Sequence, residues 1–166
     1  MKSKVWQGWV VALALGGMAM GVQAAPMPSL AGAWQLVRVD NVSPDGKHMP
    51  LYGPAPQGLL LIDADGHYAL QMVRAQRTRF AGGDKAHGSA EEYRAASMQG
   101  NAHYGRVEAA GGVLRFEIEH ATFPNWDGTE QRRPFTLHGD ELTYTVPTPT
   151  TGAGHATGEV SWRRVR

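Results

Sequence analysis

The chain has 166 residues, of which 42% are hydrophobic and 19% are charged. With 21 glycines and 10 prolines it is too apolar for a disordered chain and too often interrupted for a helical bundle, which favours an all-β fold. Removing the two lysines of a predicted leader leaves 14 basic and 15 acidic side chains, a formal charge of −1, and this excludes the basic footprint of a nucleic-acid binder.

Residues 1–24 have the pattern of a secretory signal peptide. Lys2 and Lys4 precede an apolar run, and small residues lead to a predicted cleavage site after Ala24. The alternative is an uncleaved membrane anchor, but a glutamine and several glycines shorten the apolar run below the ~20 residues that spanning requires. The absence of cysteine excludes lipidation after cleavage, thiolate catalysis and cysteine-ligated zinc. We therefore expect residues 25–166 to form one domain of a periplasmic or secreted protein without a stable membrane anchor.

Alternating apolar and polar residues predict eight β-strands in the remaining chain. The alternation is clearest at Leu114, Phe116 and Ile118, which share one face while charged residues share the other. Eight antiparallel strands commonly close into a barrel. The predicted strands, in chain order, cover residues 34–39, 59–62, 68–72, 103–108, 113–122, 133–138, 142–146 and 159–165.

The connections between these strands alternate between short and long. Residues 63–66, 109–112 and 139–140 are compact hairpin turns. The other connections are long, and the one between strands 3 and 4 contains a helix over residues 89–99, with Ser89 and Glu92 forming a capping box. In an up-and-down meander all the short connections fall at one end. The sequence therefore predicts an eight-stranded antiparallel up-and-down barrel with one tight end and one open end.

The tripeptide Gly32-Ala33-Trp34 at the start of the first strand resembles the Gly-x-Trp signature of lipocalins, and the last strand ends in Trp162-Arg163-Arg164. In lipocalins the signature Trp plugs the closed end and an Arg from the last strand packs over it. The resemblance therefore implies that Trp34 and Arg164 meet at the closed end, next to Gly32. More specifically, the chain resembles the bacterial lipocalin-like domain family, a calycin-type small β-barrel, in the segments 52–54 with Gly58, 65–68, 90–93 and 123–131. This resemblance implies a lipocalin-like barrel and indicates little about activity.

Strand parity predicts a polar ring at the open end of the lumen, above an apolar lower lumen. The side chains predicted to turn inward with their apolar neighbours are His120, Gln131, Arg133, Arg74 and Arg38, joined by Tyr104. Trp126, in the loop after the fifth strand, either covers the cavity or fastens that loop to the rim. Such a cavity suits an amphipathic molecule with its tail down and its polar or anionic head up. The alternative is that these side chains meet solvent at the mouth, with His120 satisfied by Asn125 or Asp127.

Three functions fit these features, and we favour the first. It is the binding of a small hydrophobic or amphipathic molecule in the lumen. The second is a barrel enzyme of the isomerase, cyclase or hydratase type, with His120 as general acid or base and Arg133 stabilising an oxyanion. The third is an envelope module that contacts a protein partner through its outer surface, which an exposed apolar patch would support. The sequence shows no zinc-type histidine spacing and no nucleotide fingerprint, so no metal or cofactor is predicted.

Overall fold

The computed structural model describes residues 29–151 and 156–166, and the predicted signal peptide lies outside this range. In the described part of the chain, no helix is long and apolar enough to cross a membrane. The elements are β1 (Gly32–Val42), β2 (His48–Pro50), β3 (Gln57–Ile62), β4 (His67–Val73), α1 (Ala90–Met98), β5 (Gly100–Ala110), β6 (Val113–Ala121), β7 (Thr129–His138), β8 (Glu141–Val146) and β9 (Thr157–Arg164).

The sheet is a closed antiparallel barrel of eight strands, as predicted. Each strand from β3 to β9 pairs with the next, and β1 pairs with β3 on one side and with β9 on the other. The short strand β2 was not predicted; it pairs with the last three residues of β1 and extends the sheet at its open end. Because β2 adds one strand to the count, the helix lies between the fourth and fifth strands, β4 and β5, and not between the third and fourth as predicted.

The two ends of the barrel differ as the loop lengths predict. The short connections β3–β4, β5–β6 and β7–β8 lie at one end, and the long connections lie at the other. The helix α1 belongs to the open end, where Ser89 and Glu92 form the capping box and none of the helical residues is buried. The open end is therefore built from four long connections, which leave space above the barrel core.

Large side chains fill the closed half of the barrel. The inward residues there are completely or almost completely buried, with relative exposures of 0 to 1%: Trp34, Leu60, Leu114, Leu142 and Trp162. Burial of such side chains removes apolar surface from water and stabilises each strand against its neighbours. The filled half confines free space to the open half.

Two β-bulges change which side chains face the lumen. Glu119 is an extra residue between the pairs Tyr104–His120 and Gly105–Ile118, and Val37 is an extra residue between the pairs that Leu36 and Arg38 form with β9. Gly105 makes the first bulge feasible, because a Cβ at this position would lie 2.0 Å from the carbonyl oxygen of Glu117. A bulge shifts the inward and outward alternation by one residue, so parity counted through it is wrong.

Candidate functional site

The structure brings the three predicted closed-end residues together. The guanidinium of Arg164 lies over the ring of Trp34, 4.1 Å from its centroid, and donates hydrogen bonds to the carbonyl oxygens of Ala31 at 2.7 Å and Ser29 at 2.8 Å. A Cβ at Gly32 would approach Arg164 Nη1 to 2.9 Å, so glycine leaves room for this contact. This end of the barrel is plugged and offers no route into the lumen.

A cavity of about 230 Å³ occupies the open half of the barrel. Its wall is mostly apolar on the strands, with Val39, Met72, Val146 and Val160 among the contributors. Residues from all four long connections surround its mouth: Leu51, Tyr52, Ser97, Met98, Phe123, Trp126, Pro149, Thr150 and Thr151. The four connections thus form one compartment with the upper lumen.

His103 is a buried histidine in the wall of this cavity. Its side chain is paired with Tyr68, whose hydroxyl lies 2.7 Å from His103 Nδ1. Burial, with a smaller contribution from the positive charge of Arg133, lowers the pKa of His103 to about 3. Burial also raises the pKa of Tyr68 above its ordinary value. His103 is therefore a neutral imidazole near pH 7, and Tyr68 is a neutral phenol.

Arg133 is the second buried polar residue of the cavity wall, with a relative exposure of 3%. Its guanidinium lies 4.5 Å from the ring centroid of Phe116 and 5.1 Å from that of Tyr144. Its Nη2 donates to Gln131 Oε1 at 2.5 Å. The parity of β7 thus turns Arg133 and Gln131 inward, as the sequence predicts, and their use in ligand binding remains a proposal.

Trp126 lines the cavity near its mouth and packs partly against the barrel core. It sits in a 3₁₀ turn, Pro124–Trp126, lines the cavity and packs edge-to-face against His103, with 5.8 Å between ring centroids. Thr129 Oγ1 donates to the Trp126 carbonyl oxygen at 2.7 Å. The two predicted roles of this side chain therefore coexist, because it fastens the loop to the rim and forms part of the cavity wall.

The inward placement predicted for His120 and Tyr104 is wrong. The bulge at Glu119 reverses the parity of β6, so that His120 pairs with Tyr104 on the outer face. The His120 side chain is 66% exposed and its Nδ1 lies 3.2 Å from Asp127 Oδ2; this hydrogen bond lowers the pKa of Asp127. Asp127, one of the two partners proposed for a structural histidine, thus holds His120 outside the barrel.

Arg38 and Arg74 also lie outside the cavity wall. The bulge at Val37 gives the inward position to Val39, and the half-exposed Arg38 contacts Asp40, Glu159 and Ser161 instead. Arg74 follows the last residue of β4 and is exposed, although Tyr68, Leu70 and Met72 of the predicted strand 68–72 are buried. The predicted ring of polar groups at the mouth is therefore not formed by these residues. The polar groups of the lumen lie deeper.

His103 and Tyr144 are cavity residues whose role in a polar site the sequence analysis missed. His103 begins a predicted strand without an unambiguous parity, because the glycine at 105 interrupts the alternation. Tyr144 lies in the predicted strand 142–146, where the pattern does not distinguish a core aromatic side chain from one that lines a cavity. In the structure Tyr144 lines the cavity, its ring lies 5.1 Å from the guanidinium of Arg133, and its hydroxyl is buried without a hydrogen-bond partner. A count of parity backwards from Val107 would have turned His103 inward.

Among the residues that the structure describes, two clusters of His and acidic residues have the ligand types of a cation site, and neither supports one. Asp40, His48 and Glu159 lie together, but Arg38 already supplies a positive charge to both carboxylates. In the second cluster, the Asp63 carboxylate accepts hydrogen bonds from the backbone N–H groups of Asp65 and His67, which explains the cluster as a turn.

The outer face of β3, β4 and β5 carries an exposed apolar row. Leu61 pairs with Ala69, and Ala69 pairs with Tyr104. Leu59, two residues before Leu61 on β3, lies on the same face. The exposed fractions of Leu59, Leu61 and Tyr104 are 41%, 47% and 46%. This row contrasts with the charged outer face around Arg115, and it gives no indication of what would cover it.

The closed eight-stranded barrel, with a plugged end and a cavity at the other end, defines a lipocalin-like β-barrel. The chain belongs to the family described as lipocalin-like domain, whose model matches residues 31–165. A comparison with curated proteins found no match. The lipocalin-like barrel supports a small-molecule binding role in general.

Proposed function

We propose that this protein binds a small amphipathic molecule in the open half of its barrel. The observation that carries this proposal is the cavity of about 230 Å³, which has an apolar wall and two buried polar residues, His103 and Arg133. Small-molecule sites are typically concave and mostly apolar, with a few placed polar groups that set orientation. The family assignment supports the same general role.

The size of the cavity limits the ligand. Ligand sites commonly have volumes of roughly 300 to 1,000 Å³, so a cavity of about 230 Å³ suits a small molecule or one whose end projects from the mouth. The mouth carries exposed apolar side chains, because Met98 and Phe123 lie there with 48% and 40% of their surface accessible. A ligand with an apolar portion is therefore favoured over a fully polar metabolite.

The alternative of a barrel enzyme acting through His120 gains no support from the geometry, because His120 lies on the outer face beside Asp127. Buried His103 is held by Tyr68 at 2.7 Å. We therefore favour a binding protein over a catalyst.

Export is the second part of the proposal. The pattern of residues 1–24 supports cleavage after Ala24 and a periplasmic or secreted location. The mass of the purified protein tests this directly, since a mature chain begins at Ala25. A chain that keeps Met1 or Lys2 after expression in a bacterium with an intact export pathway would contradict it.

The binding proposal is tested with N-phenyl-1-naphthylamine, a neutral apolar dye whose fluorescence rises when it leaves water. We expect a saturable titration with one dye per chain. The substitution Val146→Trp fills the cavity from β8 and should abolish it. The control is Thr145→Trp, which places the same side chain on the opposite face of the same strand and should leave dye binding intact. Linear, unsaturable fluorescence, or equal binding by both variants, would overturn the proposal.

A further inference from the structure

Arg133 carries a positive charge into the barrel without a matching negative charge. It is 3% exposed, its hydrogen-bond acceptor is the neutral side chain of Gln131, and no carboxylate of the described residues pairs with it. Buried charges in proteins are normally paired, because removing a charge from water is costly. The faces of Phe116 and Tyr144 offset part of this cost but supply no counter-charge.

Three buried polar atoms in the same part of the lumen have no hydrogen-bond partner. They are Arg133 Nε, His103 Nε2 and the Tyr144 hydroxyl oxygen, and all three residues line the cavity. Buried polar groups in folded proteins are nearly always paired. The arrangement is therefore complete only when something in the cavity supplies the missing partners.

All three groups can act as hydrogen-bond donors. Arg133 is a donor only, and the hydroxyl of Tyr144 has no acceptor of its own. The imidazole of His103 is neutral, so that when Tyr68 donates to its Nδ1, the ring proton is on Nε2. A set of donors that line one cavity, one of them positively charged, matches a group that only accepts hydrogen bonds and carries negative charge.

Arg133 marks the inner end of the cavity, with the ring of Tyr144 5.1 Å from its guanidinium. His103 lies between Phe116 on the inner side and Trp126 on the outer side. The guanidinium of Arg133 rests on Phe116, which is fully buried and does not contribute to the cavity wall. Trp34 and Trp162 fill the lumen towards the closed end. The mouth, in contrast, exposes Met98 and Phe123. The polarity of the cavity is thus opposite to the sequence prediction of an apolar bottom and a polar top.

We propose that the ligand is an amphipathic monoanion, with a carboxylate as its head group, that enters head-first. The carboxylate accepts hydrogen bonds from Arg133, Tyr144 and His103, and the apolar portion extends past Trp126 to Met98 and Phe123 at the mouth. One guanidinium balances one negative charge, which favours a carboxylate over a doubly charged phosphate monoester. This inference rests on the proposed binding function, and it specifies the head group and the orientation.

Competition against N-phenyl-1-naphthylamine tests the head group. Octanoate, octan-1-ol and octyl phosphate share one tail, so they compare only the heads. We expect octanoate to displace the dye at a concentration at least about tenfold lower than either of the others. In Arg133→Met, octanoate should lose this advantage while octan-1-ol competes as before. The control Arg132→Met removes an exposed arginine next in sequence and should change neither competitor.

The outcomes separate this inference from the proposed function. If the dye binds and octanoate and octan-1-ol displace it equally, the head-group inference is wrong and the binding function stands. If the dye does not bind to the parent protein, the binding function itself fails. Tyr144→Phe provides a second variant if Arg133→Met does not fold. It should raise the concentration of octanoate needed to displace the dye by about three- to tenfold and leave that of octan-1-ol unchanged. Equal effects on both competitors would overturn the inference.

Bromine quenching tests the orientation. A tryptophan at the mouth serves as reporter when Met98→Trp is combined with Trp126→Phe, because Met98 lines the cavity and is 48% exposed. Bromine at the tail end of 8-bromooctanoate should lie near this reporter, whereas bromine in 2-bromooctanoate should lie near Arg133. We expect 8-bromooctanoate to quench more strongly the emission that Met98→Trp adds. Stronger quenching of that emission by 2-bromooctanoate would show a head-out ligand and overturn the proposed orientation.

Discussion

Replacing Arg133 with methionine should make the ligand-free protein more stable. The side chain is 3% exposed, and no ion pair among the described residues offsets its charge. Methionine has a similar length and is flexible enough to fill the same space beside Phe116 and Tyr144. A residue retained for binding often lowers stability, and this substitution measures that cost.

The magnitude follows from the contacts that change. Removing the buried charge recovers a desolvation cost of roughly 4 kcal/mol. The variant loses two cation–π contacts, to Phe116 and Tyr144, of about 1 kcal/mol each. It also loses the hydrogen bond to Gln131, whose half-exposed amide regains water at a cost of about 0.5 kcal/mol. The expected result is a net gain of about 1 to 2 kcal/mol in the free energy of unfolding.

Urea denaturation followed by tryptophan fluorescence measures this difference. The midpoint should rise in Arg133→Met with an unchanged slope. Arg132→Met should stay within about 0.5 kcal/mol of the parent, because Arg132 is 72% exposed. Octanoate at a concentration one hundred times its Kd should raise the free energy of unfolding of the parent by about 2.7 kcal/mol. It should raise that of Arg133→Met by much less. A loss of stability in Arg133→Met would refute the reasoning and assign Arg133 a structural role as a core cation.

Three further substitutions test the fold and the buried histidine. Because the folded-state pKa of His103 is lowered to about 3, the free energy of unfolding of the parent should fall by about 2 kcal/mol between pH 7.5 and pH 5. Urea titrations at both pH values should show that His103→Gln removes this loss. The same loss in parent and variant would contradict the assignment. Gly105→Ala should lower the free energy of unfolding by at least about 2 kcal/mol, since its Cβ would lie 2.0 Å from the carbonyl oxygen of Glu117. The control Gly111→Ala, with open space around it, should lower it by only about 1 kcal/mol. The reverse order would refute the argument that Gly105 makes the bulge possible. Arg164→Met should cost about 2 to 3 kcal/mol through the lost cation–π contact and two hydrogen bonds, as measured by thermal or urea unfolding, and a neutral effect would exclude a stabilising role for this contact.

Much of the fold could be predicted because its signals are local and repeat along the chain. The run Leu114, Phe116, Ile118 identifies a half-buried strand, and the alternation of short and long connections identifies a closed and an open end. The capping box at Ser89 likewise depends on residues close in sequence. The three-residue strand β2 lacked such a signal, because its residues are all exposed and its pairing with β1 is tertiary.

The candidate site was predicted less well because single extra residues reverse parity. Glu119 and Val37 look like ordinary strand residues, and only their pairing with neighbouring strands shows that each is a bulge. Counting through them placed His120 and Arg38 in the lumen. In the structure Val39 is the buried residue after the bulge in β1, and the histidine of the cavity wall is His103 on the neighbouring strand β5. Arg133 lies on a strand with regular alternation, and its inward position was predicted correctly.

Native mass spectrometry of the protein, purified from bacterial cells without detergent or denaturant, tests the central claim most directly. We expect a discrete excess mass that disappears on unfolding, and the released species should be an amphiphile with one acidic group. Val146→Trp should carry no excess mass, and Arg133→Met should carry less of it than the parent. A parent protein of bare chain mass, both as purified and after incubation with millimolar octanoate, would contradict a ligand-holding barrel.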